Sequence, residues 1–172
     1  MFKKTLTAAG IALIAATPVL AVEGPFPVGE IATETNFDSM KNPNALDYYP
    51  EVAADINAAI SERAKVDPGM GERPVDLEVR ILSMRLNDDP VLTGDGAFNM
   101  LEGLVTVEDS ANGKTVISQP ILLNAEEMEV PYLSVSPENR DFYNAMVLAF
   151  ADRAVEIANS VDELPDLEQV QK

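Results

Sequence analysis

The clearest pattern in the chain is an apolar stripe at helical spacing near the C-terminal end. Its members recur every three or four residues and so share one helix face: Tyr143, Met146, Val147, Phe150, Ala154, Ile157 and Val161. Ser136 suits the N-cap position, and Pro137 and Glu138 suit the first turn. The spacing therefore predicts an amphipathic helix from about Ser136 to Val161, with its stripe in the core.

A second, shorter helix is predicted from Tyr49 to Lys65. Pro50 fits its first turn, where a missing N–H is tolerated, and Asp67-Pro68-Gly69 ends it. One face of this helix is apolar through Val52, Ile56, Ala59, Ile60 and Ala64.

Between the helices the apolar residues alternate with period two, which indicates strands. Alternation runs from Pro74 to Asn87 and reverses its phase at Ile81-Leu82, which predicts a β-bulge or a sharp bend. Two further strands, Phe98 to Glu108 and Lys114 to Leu123, flank the Asn112-Gly113 pair, which is typical of a hairpin turn.

Weaker patterns predict short strands at Val28 to Asn36 and at Met128 to Val135. Pro120 has no N–H to donate, so its strand is expected at a sheet edge or at a bulge. The elements together predict an α+β fold in two layers. An antiparallel β-meander of three to five strands carries two amphipathic helices packed on one face.

This domain is expected to span residues 47–161. Residues 22–46 are predicted to form an extended N-terminal segment that precedes it. Residues 162–172 are acidic and interrupted by proline, and they are predicted to form a flexible tail.

Residues 1–21 have the order of a secretory signal peptide. Lys3 and Lys4 are followed by the uncharged run Thr5 to Ala21, and Val19 and Ala21 fit a cleavage site. A retained membrane anchor is the alternative, but the run is at the short limit for a membrane span. The pattern favours a periplasmic or secreted protein without stable membrane insertion. No cysteine follows the run, so a lipid anchor on cysteine is not expected.

The chain is strongly acidic, with 12 basic and 29 acidic residues in 172 and a net charge of −17. Without Lys3 and Lys4, 10 basic and 29 acidic residues remain, a net charge of −19. Such a field repels nucleic acid and anionic lipid, so neither is an expected partner. Solubility or adaptation to a salty medium explains this charge more simply than an acidic binding face.

The chain contains no cysteine and no histidine. Disulfides, a Ser-His-Asp triad, a cysteine nucleophile and ordinary zinc or copper sites are therefore excluded. Chemistry based on carboxylates or on Ser and Lys remains open, as do calcium sites built from oxygen ligands. No cofactor motif and no catalytic constellation stand out.

Asn87, Asp88, Asp89 and Asp95 form the densest group of oxygen ligands in a predicted loop, and they are weak candidates for calcium binding. Their spacing is not that of an EF-hand, and Pro90 interrupts them. Asp and Asn are common in turns, so a solvated loop is the favoured interpretation.

Two other groups of residues suggest a site. Glu126-Glu127 and Glu129 could supply carboxylates for glycosidase chemistry, although neighbours in sequence do not establish an acid and a base across a cleft. Tyr48 and Tyr49, with Phe37, could form an aromatic platform for a sugar or a peptide. The favoured interpretation is that these rings pin the extended segment onto the sheet.

Two stretches carry a resemblance to a known group. They are Pro74 to Arg80, which follows a helix, and Leu101 to Ser110, which runs into Asn112-Gly113-Lys114. With the signal peptide and the closing helix, this layout resembles small bacterial envelope accessory proteins, of the outer-membrane assembly and transport-auxiliary type. The resemblance implies an α+β domain and a protein partner in the cell envelope, and it implies no catalytic residue.

The sequence thus favours an exported, soluble, non-enzymatic envelope accessory or binding protein. The alternatives are a hydrolase that uses carboxylates and a secreted acidic protein whose folding depends on calcium. The shape of the surface discriminates, because an enzyme needs two carboxylates that converge in a cleft.

The signal-peptide assignment makes a direct prediction about processing. The exported protein should begin at Val22, because Ala21 closes the cleavage pattern. Mass spectrometry of periplasmic material measures this, and an intact Met1 in the membrane fraction would contradict it.

Overall fold

The computed structural model describes residues 22–23, 25–35, 44–64, 73–94, 96–125 and 140–164. Its six strands are β1 Val22–Glu23, β2 Val28–Thr35, β3 Val75–Arg85, β4 Met100–Asp109, β5 Lys114–Asn124 and β6 Glu163–Leu164. Its three helices are α1 Ala45–Tyr48, α2 Val52–Arg63 and α3 Arg140–Asn159. Four strands form the main sheet in the order β2-β3-β4-β5, and β1 pairs with β6 apart from it.

The main sheet is mixed. β3, β4 and β5 are antiparallel neighbours, as the predicted meander requires, whereas β2 is parallel to β3. The predicted α+β class is confirmed, but a wholly antiparallel sheet is wrong at β2. The physical reason is the long connection through α1 and α2, which returns the chain to the same end of the sheet. The strand predicted at Met128 to Val135 lies outside the described residues.

The two long helices share one face of the sheet. α2 lies beside β2, where the Asn57 side-chain amide donates to the backbone oxygen of Ile31 at 2.8 Å. α3 packs on β4, on β5 and on α2. Tyr49, the predicted first residue of the shorter helix, lies instead between α1 and α2. The described part of the longer helix begins at Arg140, and its predicted cap, Ser136, lies outside the described residues.

The phase reversal in β3 is a β-bulge, as predicted. Ile81 pairs with Gly103, and the next pair joins Ser83 to Glu102, so Leu82 has no partner of its own. Beyond the bulge Met84 is buried and pairs with Leu101, which is also buried. The extra residue thus keeps apolar side chains in the core on both sides of the reversal.

The hairpin between β4 and β5 is anchored by a buried carboxylate. The turn closes at Gly113, whose φ of 66° favours glycine. Asp109 is fully buried, and both its oxygens accept hydrogen bonds from the Arg73 guanidinium. The Asn112 side chain and the Ala111 N–H also donate to Asp109. Because the carboxylate is paired and hydrogen-bonded on both oxygens, its burial is tolerated.

The described part of the predicted tail, residues 162–164, is held by pairing with β1. Glu163 and Leu164 pair with Glu23 and Val22, and Leu164 is 1% exposed. The segment predicted to be extended, 22–46, contains β1, β2 and the first residues of α1.

Phe150 joins α3 to the sheet. Its ring is fully buried and lies over Gly103 of β4. The two residues are so close that a Cβ atom added to Gly103 would lie 2.6 Å from Phe150 Cζ. The stripe predicted for this helix is confirmed as core, since all seven of its members are at most 5% exposed.

Replacing Phe150 with Ala should lower the free energy of unfolding by about 3–5 kcal/mol, because apolar contacts are lost and a cavity remains. Leu148→Ala is the matched control on the same helix, since Leu148 is 41% exposed. It should change the stability by less than about 1 kcal/mol. Urea melts of both variants measure this, and equal losses would show that Phe150 is not the helix's anchor.

Candidate functional site

A groove lies between β5 and α3. It has a volume of about 570 Å³ and is open to solvent. One wall is the strand segment from Pro120 to Leu123, and the other is formed by Ala149, Asp152, Arg153 and Glu156 of the helix. The groove lies where α3, seated over Gly103 of β4, runs beside residues 120–123 of β5.

The two walls differ in chemistry. The strand wall is uncharged, and its Leu122 is 56% exposed, the highest value among the large apolar side chains described. The helix wall carries two acids and one base. Asp152 accepts a hydrogen bond from Arg63 Nε at 2.6 Å, and Arg153 pairs with Glu156. These pairs are exposed, so they contribute little to stability and are available to exchange partners.

A second, smaller groove of about 340 Å³ lies between α2 and α3. Inside it, the Tyr143 hydroxyl donates to Asp55 Oδ2 at 2.5 Å. The Arg140 guanidinium lies 4.8 Å from the centre of the Tyr143 ring. The Tyr49 ring stacks on the Tyr143 ring, with 4.7 Å between the two ring centres. Burial, then the bond to Asp55, raises the pKa of Tyr143 far above its ordinary value of 10.0. The hydroxyl therefore stays protonated and acts as a clamp between the helices.

Three of the predicted calcium candidates, Asn87, Asp88 and Asp89, occupy a tight turn after β3. The Asn87 backbone N–H donates to Asn99 Oδ1 at 2.7 Å, and the Asn99 side-chain amide donates to Asn87 Oδ1 at 2.9 Å. Asp89 Oδ1 accepts the Val91 N–H at 2.9 Å. Asp88 is exposed, and Asp95 lies outside the described residues. These contacts explain Asn87 and Asp89 as turn-forming residues, and calcium binding at this loop stays a prediction.

The two tyrosines of the predicted aromatic platform separate. Tyr49 packs edge-on against Phe98 at 5.2 Å, and its hydroxyl donates to the Gly96 oxygen at 2.9 Å. Tyr48 lies against Gly96, where a Cβ would come within 2.5 Å of its ring. Both rings thus hold the helical segment onto the 96–98 loop. Phe37, the third member, lies outside the described residues.

The remaining candidates are not brought into a site. Glu126-Glu127 and Glu129 lie outside the described residues. Among the residues that are described, no group of three or more acidic side chains is arranged to hold a metal ion. No helix in the described ranges has both the length and the apolar character needed to cross a membrane.

Sequence reasoning missed both the groove and the Tyr143 clamp. Pro120 predicted a strand at a sheet edge or at a bulge, and among the described strands β5 is the last of the main sheet and forms one wall of the groove. The run from Thr115 to Asn124 contains no charged residue, which is unusual for an edge strand and is visible in the sequence. The helix wall needed the three-dimensional placement of α3.

No protein-family model matches the chain, and no curated protein matches it. Among solved structures, the chain is similar to two PelC dodecamers from Paraburkholderia phytofirmans. One is a point variant with 12% identity and a TM-score of 0.42, over 81% of this chain and 95% of that chain. The other has 10% identity and a TM-score of 0.41, over 83% of this chain and 97% of that chain. At this distance the likeness adds nothing to the assignment of a function.

The Tyr143 clamp makes a prediction about pH. The pKa of Tyr143 is raised in the folded state. Its contribution to the free energy of unfolding is therefore complete below the ordinary pKa of 10.0 and decreases as the pH rises above that value. Tyr143→Phe should lower the free energy of unfolding by about 1 kcal/mol at neutral pH. Between about pH 9 and about pH 11, the Tyr143→Phe variant should also lose less stability than the parent protein does. Urea melts across that range measure both effects, with Tyr48→Phe as the control at an exposed ring.

Proposed function

We propose that this protein is an exported, non-enzymatic accessory protein of the bacterial cell envelope, which works by binding a partner protein at the groove between β5 and α3. The observation that carries the proposal is the groove itself, where the uncharged segment from Pro120 to Leu123, with the exposed Leu122, lies beside a polar helix wall. Exposed apolar area bordered by polar residues is typical of a surface that binds another protein.

Binding is favoured over catalysis by the position of the acids. Asp152 and Glu156 are four residues apart on α3, so both project from one wall of the groove. Glycoside hydrolysis needs an acid and a second carboxylate on opposite sides of the scissile bond. The opposite wall, from Pro120 to Leu123, has no titratable side chain.

The cellular location follows from the sequence. The predicted signal peptide, residues 1–21, would deliver the chain to the periplasm, and the likeness of its layout to envelope accessory proteins supports a partner there. Without Lys3 and Lys4 the chain has 10 basic and 29 acidic residues, and this excess of acid favours a partner with a basic surface and disfavours nucleic acid.

A pair of neighbouring substitutions on α3 tests the proposal. Ala149 lines the β5–α3 groove, and Leu148 lines the smaller groove between the helices. Ala149→Arg should fill the binding groove, whereas Leu148→Arg makes the same change in charge on a different surface. Tagged parent protein, recovered from periplasmic extract, should retain one stoichiometric partner that the Ala149→Arg variant loses at least about tenfold and the Leu148→Arg variant keeps.

Both variants must first melt like the parent in urea, since Ala149 is half-buried. A partner lost only from Leu148→Arg would move the site to the groove between the helices. Recovery of no stoichiometric partner by the parent would contradict the function itself.

A further inference from the structure

We infer that the pairing of β1 with β6 keeps signal peptidase from the bond between Ala21 and Val22, so that cleavage comes before the two strands meet. This inference rests on the predicted cleavage site and is independent of the proposed binding groove. It gives the small β1–β6 sheet a role, which is to make closure of the fold follow removal of the signal peptide.

β1 begins at the first residue that the predicted cleavage leaves on the exported protein. Val22 pairs with Leu164, and Glu23 pairs with Glu163, in antiparallel register. The first two residues after the scissile bond therefore have a strand partner in the folded protein. That partner comes from the C-terminal segment and not from a neighbour in sequence.

Buried side chains anchor the chain on both sides of this pairing. On the β6 side, Leu164 is 1% exposed and Val161 is 5% exposed. On the β1 side, the chain enters the core at Phe26, the fifth residue after the scissile bond, and Val28 of β2 is also buried. The segment that contains β1 is therefore short and is held at both its partner and its own C-terminal end.

A peptidase needs the chain around its scissile bond free and extended, because it binds backbone groups and side chains on both sides of that bond. A folded protein is cleaved only through the population in which such a segment has opened. Opening β1 breaks its pairing with β6 and exposes Leu164 to water, which costs free energy. Pairing and cleavage therefore compete for the same residues.

The position of β6 in the chain sets the order of the two events. Leu164 is 142 positions after Val22, so β1 has no partner until almost the whole described chain has been made and exported. The bond after Ala21 is accessible throughout that time. Cleavage during export meets no resistance from the fold, whereas cleavage of a closed precursor does.

A disulfide that can be formed and reduced tests this competition, since the chain has no cysteine of its own. Glu23→Cys combined with Glu163→Cys puts the two thiols on register partners of β1 and β6. Paired positions on antiparallel strands have Cα atoms about 4.5 or about 5.5 Å apart, within the range that a disulfide spans. The whole precursor is purified, oxidised or reduced, and treated with signal peptidase.

The oxidised precursor should be cleaved at least about tenfold more slowly than the same precursor after reduction, because the disulfide prevents opening. Mass spectrometry measures the product that begins at Val22. Arg85→Cys with Met100→Cys is the control, since this pair joins β3 to β4. Its oxidised and reduced forms should be cleaved at the same rate.

A second variant tests the natural pairing without a cross-link. Leu164→Ala removes a buried anchor of β6, so its folded precursor should be cleaved faster than the parent precursor. Leu148→Ala makes the same change at an exposed position of α3 and should be cleaved like the parent.

Pulse-labelled cells test the order of events. In an oxidising periplasm, the disulfide between positions 23 and 163 should appear only on chains that already begin at Val22. Precursor that acquires this disulfide and is then processed would overturn the inference. Equal cleavage of the oxidised and reduced precursors would do the same, as would an exported protein in which the disulfide never forms. A product that begins at another residue would overturn it together with the predicted cleavage site, and would leave the binding groove as it stands.

Discussion

The contact between Phe150 and Gly103 fixes the position of α3, and the rest of the structure depends on that position. A ring can reach the sheet there because β4 has no side chain at residue 103. The helix then covers β4, packs on α2 on one side and borders the groove with β5 on the other. The core and the groove thus have one cause, the close approach of a helix to a strand.

Polar anchors hold what apolar packing leaves undetermined. Arg73 and Asp109 fix the start of β3 to the β4–β5 turn, and Tyr143 joins α3 to Asp55 of α2. In a chain without cysteine, such contacts do part of the work that disulfides do elsewhere. Asp109 also shows that one acid of a strongly acidic chain is held inside, where it depends on its arginine.

The sequence predicted the elements whose pattern is local. The stripe through Phe150 and the phase reversal at Ile81-Leu82 follow from periodicity, and both are found. The parallel pairing of β2 was beyond reach, because local alternation does not specify which neighbour a strand takes. The groove was also beyond reach, since its walls are 26 residues apart in sequence at their closest, Leu123 and Ala149. The burial of Asp109 was also beyond reach, because it depends on Arg73, which lies 36 residues away.

The parallel pairing of β2 has a consequence for the order of folding. β3 and β4 are joined by residues 86–99, and β4 and β5 by residues 110–113, so less loop-closure entropy opposes these two pairings than opposes the pairing of β2 with β3. β2 must wait for β3, whose first paired residue, Val75, is 47 positions after Val28. Contacts between residues so far apart slow folding. During synthesis from the N-terminus, β2 is made before its neighbour β3 and stays unpaired until the meander exists. The strand of the main sheet that is made first would therefore be the last to join it.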